Sequence, residues 1–177
     1  MQYVKEQVLS RYNYINLGQF LILASIPIVL PFFVHIQWLT GPIVNATLIM
    51  ALFLVGIRGA LLLCLIPSMM ALSGGLLPAI LAPVVPFIML SNTIFILSID
   101  YFYNKIRNEN IGYWSGLVVA SFLKFIFLFL SVNVISNLLI KQELILKVAQ
   151  MMSWPQFFTA IIGGIIAWVF LKKLKKF

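Results

Sequence analysis

The sequence predicts an all-α integral membrane protein, folded as a six-transmembrane-helix bundle in one domain over residues 1–177. Three observations carry this. The chain is 63% hydrophobic and only 9% charged, whereas a soluble domain is about half apolar and about a quarter charged. Its apolar residues fall in long runs, and a spanning helix needs about 20 mostly apolar residues. Its basic residues sit in short clusters between those runs. The mean hydropathy of +1.09 is more than a soluble fold of this length can hide, so lipid must be the solvent for much of the surface. No polar stretch is long enough for a soluble domain or a flexible linker.

Each element follows from where the apolar runs start and stop. The first fourteen residues are polar, and the run after them has no small-residue cleavage site, so no cleavable signal peptide is expected. The first span covers 15–34 and contains Pro27 and Pro31. Residues 35–42 read as a loop, or a re-entrant segment, with Trp38 suited to the interface. The second span covers 43–55 and the third 60–72, both short, separated at Gly56, Arg58 and Gly59. One continuous helix through Arg58 would place a charge in lipid at a cost of about 2.5–3.5 kcal/mol, so a break is expected there. Residues 73–78 form a turn by composition. The fourth span covers 79–99, bent by Pro83 and Pro86, and residues 100–110 form a polar loop. The fifth covers 112–139. Residues 141–150 are a loop or short surface helix, and the sixth span covers 154–171 before the terminal lysines.

The net charge of +8 raises nucleic acid as a partner, but the clustering is that of topology signals and headgroup contacts. With the N-terminus inside, nine basic residues fall on inner segments: Lys5, Arg11, Arg58, Lys105, Arg107, Lys172, Lys173, Lys175 and Lys176. Only Lys141 and Lys147 fall outside. This bias predicts a multi-pass cell-membrane protein with both termini cytoplasmic, and it agrees with an even number of spans.

Several chemistries are disfavoured. The four acidic residues, Glu6, Asp100, Glu109 and Glu143, all lie at helix ends or in loops. Ion-coupled pumps usually carry a carboxylate inside the membrane, and an intramembrane aspartyl protease needs two. His35 is the only histidine and reads as a loop or interface residue, giving no metal cluster or triad. Cys64, the only cysteine, reads as a small packing residue. There is no phosphate-binding loop for ATP. No enzyme activity, metal or cofactor is expected. Small residues at four-residue spacing, such as Gly112, Gly116 and Ala120, or Ala160 and Gly164, suit close helix packing, inside the bundle or against a partner.

Lys124 is the exception. It lies near mid-bilayer on the fifth span, too far from either end to reach water comfortably. Ser121 and Ser131 share its side of the helix, and Asn133 points nearly opposite. Gln156, Thr159, Ala160 and Gly163 form a small, polar stripe on the sixth span. Asn92 lies on the fourth span and Asn45 at the start of the second. Asn45, Ser131 and Gln156 are expected in the outer half, with Lys124 and Asn92 near the middle. One cation and several amides, without a carboxylate, suit a small ligand with acceptor groups. A purely structural hydrogen-bond network is the alternative.

The run Gly41, Pro42, Asn45, Ala46, then Gly56, Arg58, Gly59, Pro67, Gly74, Gly75, Pro78, Pro83, Pro86 and Asn92 resembles the substrate-binding S components of energy-coupling factor (ECF) transporters. Lys124, Phe125, Trp154, Pro155, Gln156, Thr159, Gly163 and Gly164 continue the pattern. The resemblance implies a six-helix subunit that captures a vitamin or other micronutrient from outside. Its partners would be a transmembrane coupling protein and two cytoplasmic ATPase subunits, and its pocket would lie in the outer half. Lys124, Asn92, Gln156, Asn45, Ser131, Thr159 and Ser121 are the candidate substrate-binding residues. Many S components carry Ala-x-x-x-Ala in the first helix for docking. Gly18, Ala24 and Ser25 lack that spacing here, so docking residues do not transfer. A small scaffold protein of the cell envelope is the first rival reading, and a lipid-acting membrane enzyme the second.

Overall fold

A computed structural model describes residues 2–77, 79–136 and 149–174, with side chains from Tyr14 onward except at 80 and 133–136. It is all-α, with no β-strand among the described residues. Helices α1 (Gln2–Phe33), α2 (Gln37–Leu54), α3 (Ile57–Leu63) and α4 (Ile66–Ser73) lead to a 3-10 segment, Ala79–Val84. Helices α5 (Val85–Lys105), α6 (Glu109–Ser136) and α7 (Trp154–Lys173) follow. Five stretches are long and apolar enough to cross a membrane: Tyr14–Phe33, Gln37–Leu54, Leu81–Lys105, Glu109–Val132 and Ala149–Lys173. The shorter Ile57–Ser73 starts beside the end of α2 and finishes at the opposite end of the bundle. It therefore connects the two ends of the bundle while being shorter than the five long helices.

The helix boundaries differ from expectation where turn-like composition suggested loops. Residues 35–42 are not a loop: α2 begins at Gln37 and runs through Pro42, leaving only 34–36 between α1 and α2. In hydrocarbon each unpaired backbone group costs several kcal/mol, so losing one N–H at Pro42 is cheaper than abandoning the helix. Residues 100–110 are also mostly helical. Asn104 Nδ2 donates to Asp100 Oδ1 (3.0 Å) one turn back on α5. Asn108 caps α6, accepting the Ile111 N–H on its side chain at 3.1 Å. Only 106–108 remain as the connection. The expected tail of the fifth span at 137–139, and most of 141–150, lie outside the described residues.

The break after α2 lies where Gly56 allows it, at φ +101°, a conformation that a side chain disfavours. Arg58 is exposed at the start of α3. The expected third helix is divided at Cys64 and Leu65. Pro67 explains this, because it has no N–H for the Leu63 carbonyl and its ring crowds that oxygen. Pro27 and Pro31 both face inward on α1, together with Leu23 and Ala24.

Helix α2 is buried on most sides and forms the centre of the bundle. It packs most closely on α7, as α5 does on α6. The small residues are used inside the bundle. A Cβ at Gly112 would lie 3.2 Å from Tyr103 Cα, and one at Gly116 3.1 Å from Phe102 Cβ. At Gly163 a Cβ would lie 2.6 Å from Asn45 Cβ and 2.7 Å from the Pro42 carbonyl oxygen. Gly163 thus sets how near α7 comes to α2. The expected outcome for Gly163→Ala is a loss of about 1–3 kcal/mol from overpacking, read as a lower melting temperature in detergent. Gly18→Ala, where nothing lies within 4 Å, should leave melting unchanged or slightly raised. Equal melting of the two variants would contradict the α2–α7 contact.

Candidate functional site

Lys124 is only 3% exposed on α6, about midway along a helix of 28 residues. Its ammonium donates to Asn45 Oδ1 on α2 at 2.7 Å and to Asn92 Oδ1 on α5 at 2.8 Å. The Phe95 ring, one turn beyond Asn92, lies 5.2 Å from Nζ. These distances are those of charge-assisted hydrogen bonds, and the ring face adds a weak attraction. An ammonium can only donate, so both amides must turn their oxygens towards it. Their NH₂ groups are then left to face elsewhere.

A cavity of about 110 Å³ adjoins this cluster. Lys124, Asn45, Asn92 and Ser68 form its polar interior, and Pro31, Val44, Pro67, Ala71, Leu77 and Ile88 contribute apolar wall. No carboxylate lines it. Gln37, Gln156 and Met151 lie at one end, where both glutamines donate to the Met151 carbonyl, at 3.0 and 3.2 Å. At the same end His35 Nε2 donates to the Gly74 carbonyl at 3.0 Å, tying the α1–α2 connection to the turn after α4. The carbonyl can only accept, so the proton sits on Nε2. Gly74 permits this junction, because a Cβ there would lie 2.9 Å from the Pro31 carbonyl carbon.

The opposite end of the bundle is basic. Arg58, Lys105, Arg107, Lys172 and Lys173 all lie exposed there. Lys172 Nζ sits 4.7 Å from the Trp168 ring centre. Among the described residues, no lysine or arginine lies at the cavity end.

Of the residues singled out from sequence, Lys124, Asn45, Asn92 and Gln156 line this cavity. Ser121, Ser131 and Thr159 do not line it, contrary to expectation. Ser121 Oγ donates to the Leu117 carbonyl, Ser131 Oγ to Phe127 and Thr159 Oγ1 to Gln156, each on its own helix. Asn45 also lies deeper than expected, at the level of Lys124, because α2 starts at Gln37 and Asn45 is two turns into it. The Asn133 side chain lies outside those described. Thr40, Ser68 and Gln37 line the cavity without having been singled out. Gln37 and Thr40 were hidden by the loop reading of 35–42. Ser68 carries no sequence signal that separates it from a serine bonded to its own helix.

Among the described residues, no group of three or more His, Cys, Asp or Glu could hold a metal ion. The molecule is a small, all-α, multi-span membrane protein with a largely apolar cavity between its helices that holds a few buried polar groups. Compared with models of protein families, with curated proteins and with solved structures, the chain matches none.

Removing the ammonium would leave two buried amide oxygens without their donor, at about 1–3 kcal/mol for each unsatisfied group. Lys124→Met should therefore lower the melting temperature despite removing a costly buried charge. Asn92→Leu should also lower it. The double variant is expected to lose less than the sum, with a coupling of about 0.5–3 kcal/mol. Strict additivity in thermal or denaturant unfolding would mean that the two side chains do not interact.

Proposed function

We propose that this chain is the membrane-embedded substrate-binding subunit of an ECF-type importer, taking a vitamin or other small micronutrient from outside the cell. The observation that carries the reading is the cavity with a cation in its interior, placed towards the end of the bundle away from the basic cluster. Basic ends face the cytoplasm, so the cavity opens outward and both termini lie inside. The small glycine and proline pattern of the S components, from Gly41 to Gly164, points the same way.

Capture alone does not move a solute uphill. No P-loop motif is present to hydrolyse ATP, and the cavity holds no carboxylate to carry a coupling ion. Energy would come from a transmembrane coupling protein and two cytoplasmic ATPase subunits. The chain itself is read as a binding subunit rather than an enzyme. One observation favours a structural scaffold instead: Lys124 already has two partners within the chain, as a purely structural network would provide.

Native mass spectrometry of gently purified protein separates the two readings. The expected result is a retained small molecule, together with co-purification of a coupling protein when the complex is extracted mildly. A chain that carries no small molecule and no coupling protein is a scaffold. In liposomes holding this chain alone, no uptake above equilibrium is expected under a proton or sodium gradient. Uphill accumulation there would contradict the need for an energising partner.

A further inference from the structure

Ser68 stands apart from the other serines and threonines whose side chains are described. The remaining serines and threonines with described side chains each donate to a carbonyl of the preceding turn: Ser25, Thr40, Thr47, Ser73, Ser91, Thr93, Ser98, Ser115, Ser121, Ser131, Ser153 and Thr159. That bond is the cheap way to satisfy a hydroxyl in an apolar helix. Ser68 Oγ is buried and makes no hydrogen bond, and Ser68 is one of the residues lining the cavity that Lys124 also lines. A buried polar group left unpaired is costly and calls for an explanation.

The groups around Lys124 share one polarity. Lys124 Nζ uses two of its donor positions on Asn45 and Asn92, leaving a third. Those bonds take the amide oxygens, so what Asn45 and Asn92 can still offer is N–H. Ser68 adds an O–H. Around Lys124 the cavity therefore presents donors and one positive charge, while Gln37 and Gln156, whose Nε2 atoms donate to the Met151 carbonyl, add amide oxygens at its other end, and no carboxylate is among its lining residues. The rest of the lining is largely apolar, and the volume is about 110 Å³.

We infer that the cavity takes a small carboxylic acid with an apolar body, its carboxylate held by Lys124 Nζ, Ser68 Oγ and the amide N–H groups of Asn45 and Asn92. This rests on the capture reading above and adds the substrate class to it. Two carboxylate oxygens supply about four acceptor sites, matching several converging donors. One negative charge balances one ammonium. Neutral solutes would leave the cation uncompensated, and cations would be repelled.

The test uses the full chain in detergent or nanodiscs at neutral pH. Benzoate and hexanoate serve as probes, with benzamide and hexanamide as neutral twins and hexylamine as the cationic control. Equilibrium binding and thermal shift are read. The expected result is that at least one acid binds and raises the melting temperature, about tenfold or more tightly than its amide, while hexylamine does not bind. Ser68→Ala removes a hydroxyl that bonds nothing, so the unliganded variant should melt no lower than the parent. It should nonetheless bind the acid about tenfold more weakly.

Equal binding of acid and amide, binding of neither acid, or unchanged acid affinity in Ser68→Ala overturns the inference. An affinity that keeps rising to hexadecanoate assigns the carboxylate to membrane lipid and overturns the small-solute class. A neutral or cationic molecule retained in native mass spectrometry sinks the inference while leaving the capture reading intact. Absence of any retained molecule and of any coupling protein sinks the capture reading itself.

Discussion

A lysine ammonium in the middle of a membrane is the constraint that organises this bundle. An isolated charge there costs about 2.5–3.5 kcal/mol even by insertion scales. Here the charge is met by two amide oxygens from different helices, at 2.7 and 2.8 Å. One side chain on α6 thus ties α2 and α5 to a common point. The geometry needs α2 at the centre, and α2 is held there by α7 lying against it at Gly163. Tyr113 adds a second tie, donating from its hydroxyl to the Gly164 carbonyl at 2.6 Å. The central contacts are therefore a mixture of close glycine packing and a few strong polar bonds, the combination that holds helices together where the hydrophobic effect cannot.

Among the described residues, irregular backbone falls in places that can tolerate it. The turns at Gly56 and Gly74–Gly75 and the connections at 34–36 and 106–108 lie at the ends of the bundle. The interruption at Cys64–Leu65 is the exception, and the chain resumes as α4 with Pro67 and Ser68 against the cavity. Broken helices inside a membrane are stable only where protein or a polar cavity covers them. The break and the cavity therefore belong together: Pro67 interrupts the helix, and Pro67 and Ser68 both line the cavity.

Much of the fold was legible in the sequence. Long apolar runs marked the five long membrane helices, and the cost of burying Arg58 marked the break at Gly56. Two rules carried over from soluble proteins misled. Gly41–Pro42 resembles a turn, yet lipid penalises open backbone so strongly that the helix continues through it. Residues 100–105 look like a loop because they are polar, but a helix may leave the membrane and stay a helix in water. Of the cavity lining, Lys124, Asn45, Asn92 and Gln156 stood out in the sequence because ionisable and amide groups are conspicuous in an apolar chain. Ser121, Ser131 and Thr159 face inward, as periodicity indicates, but lie outside the cavity lining, because periodicity gives the side of a helix and not the place where a cavity forms along it. Ser68 was invisible for the same reason. Substrate identity depends on cavity shape, and no motif in the chain encodes that directly.

The claim on which the functional reading depends most is that the Lys124 cavity opens on the side opposite the basic end. Cysteine accessibility tests it directly, in a Cys64→Ala background with a small, charged, membrane-impermeant thiol reagent added to intact cells. Gln156→Cys reports the cavity and Lys105→Cys the basic end. The expected result is modification of position 156 from outside, with position 105 reacting only after the membrane is permeabilised. Modification of position 105 from outside, with 156 protected until permeabilisation, would invert the topology and contradict capture from the exterior.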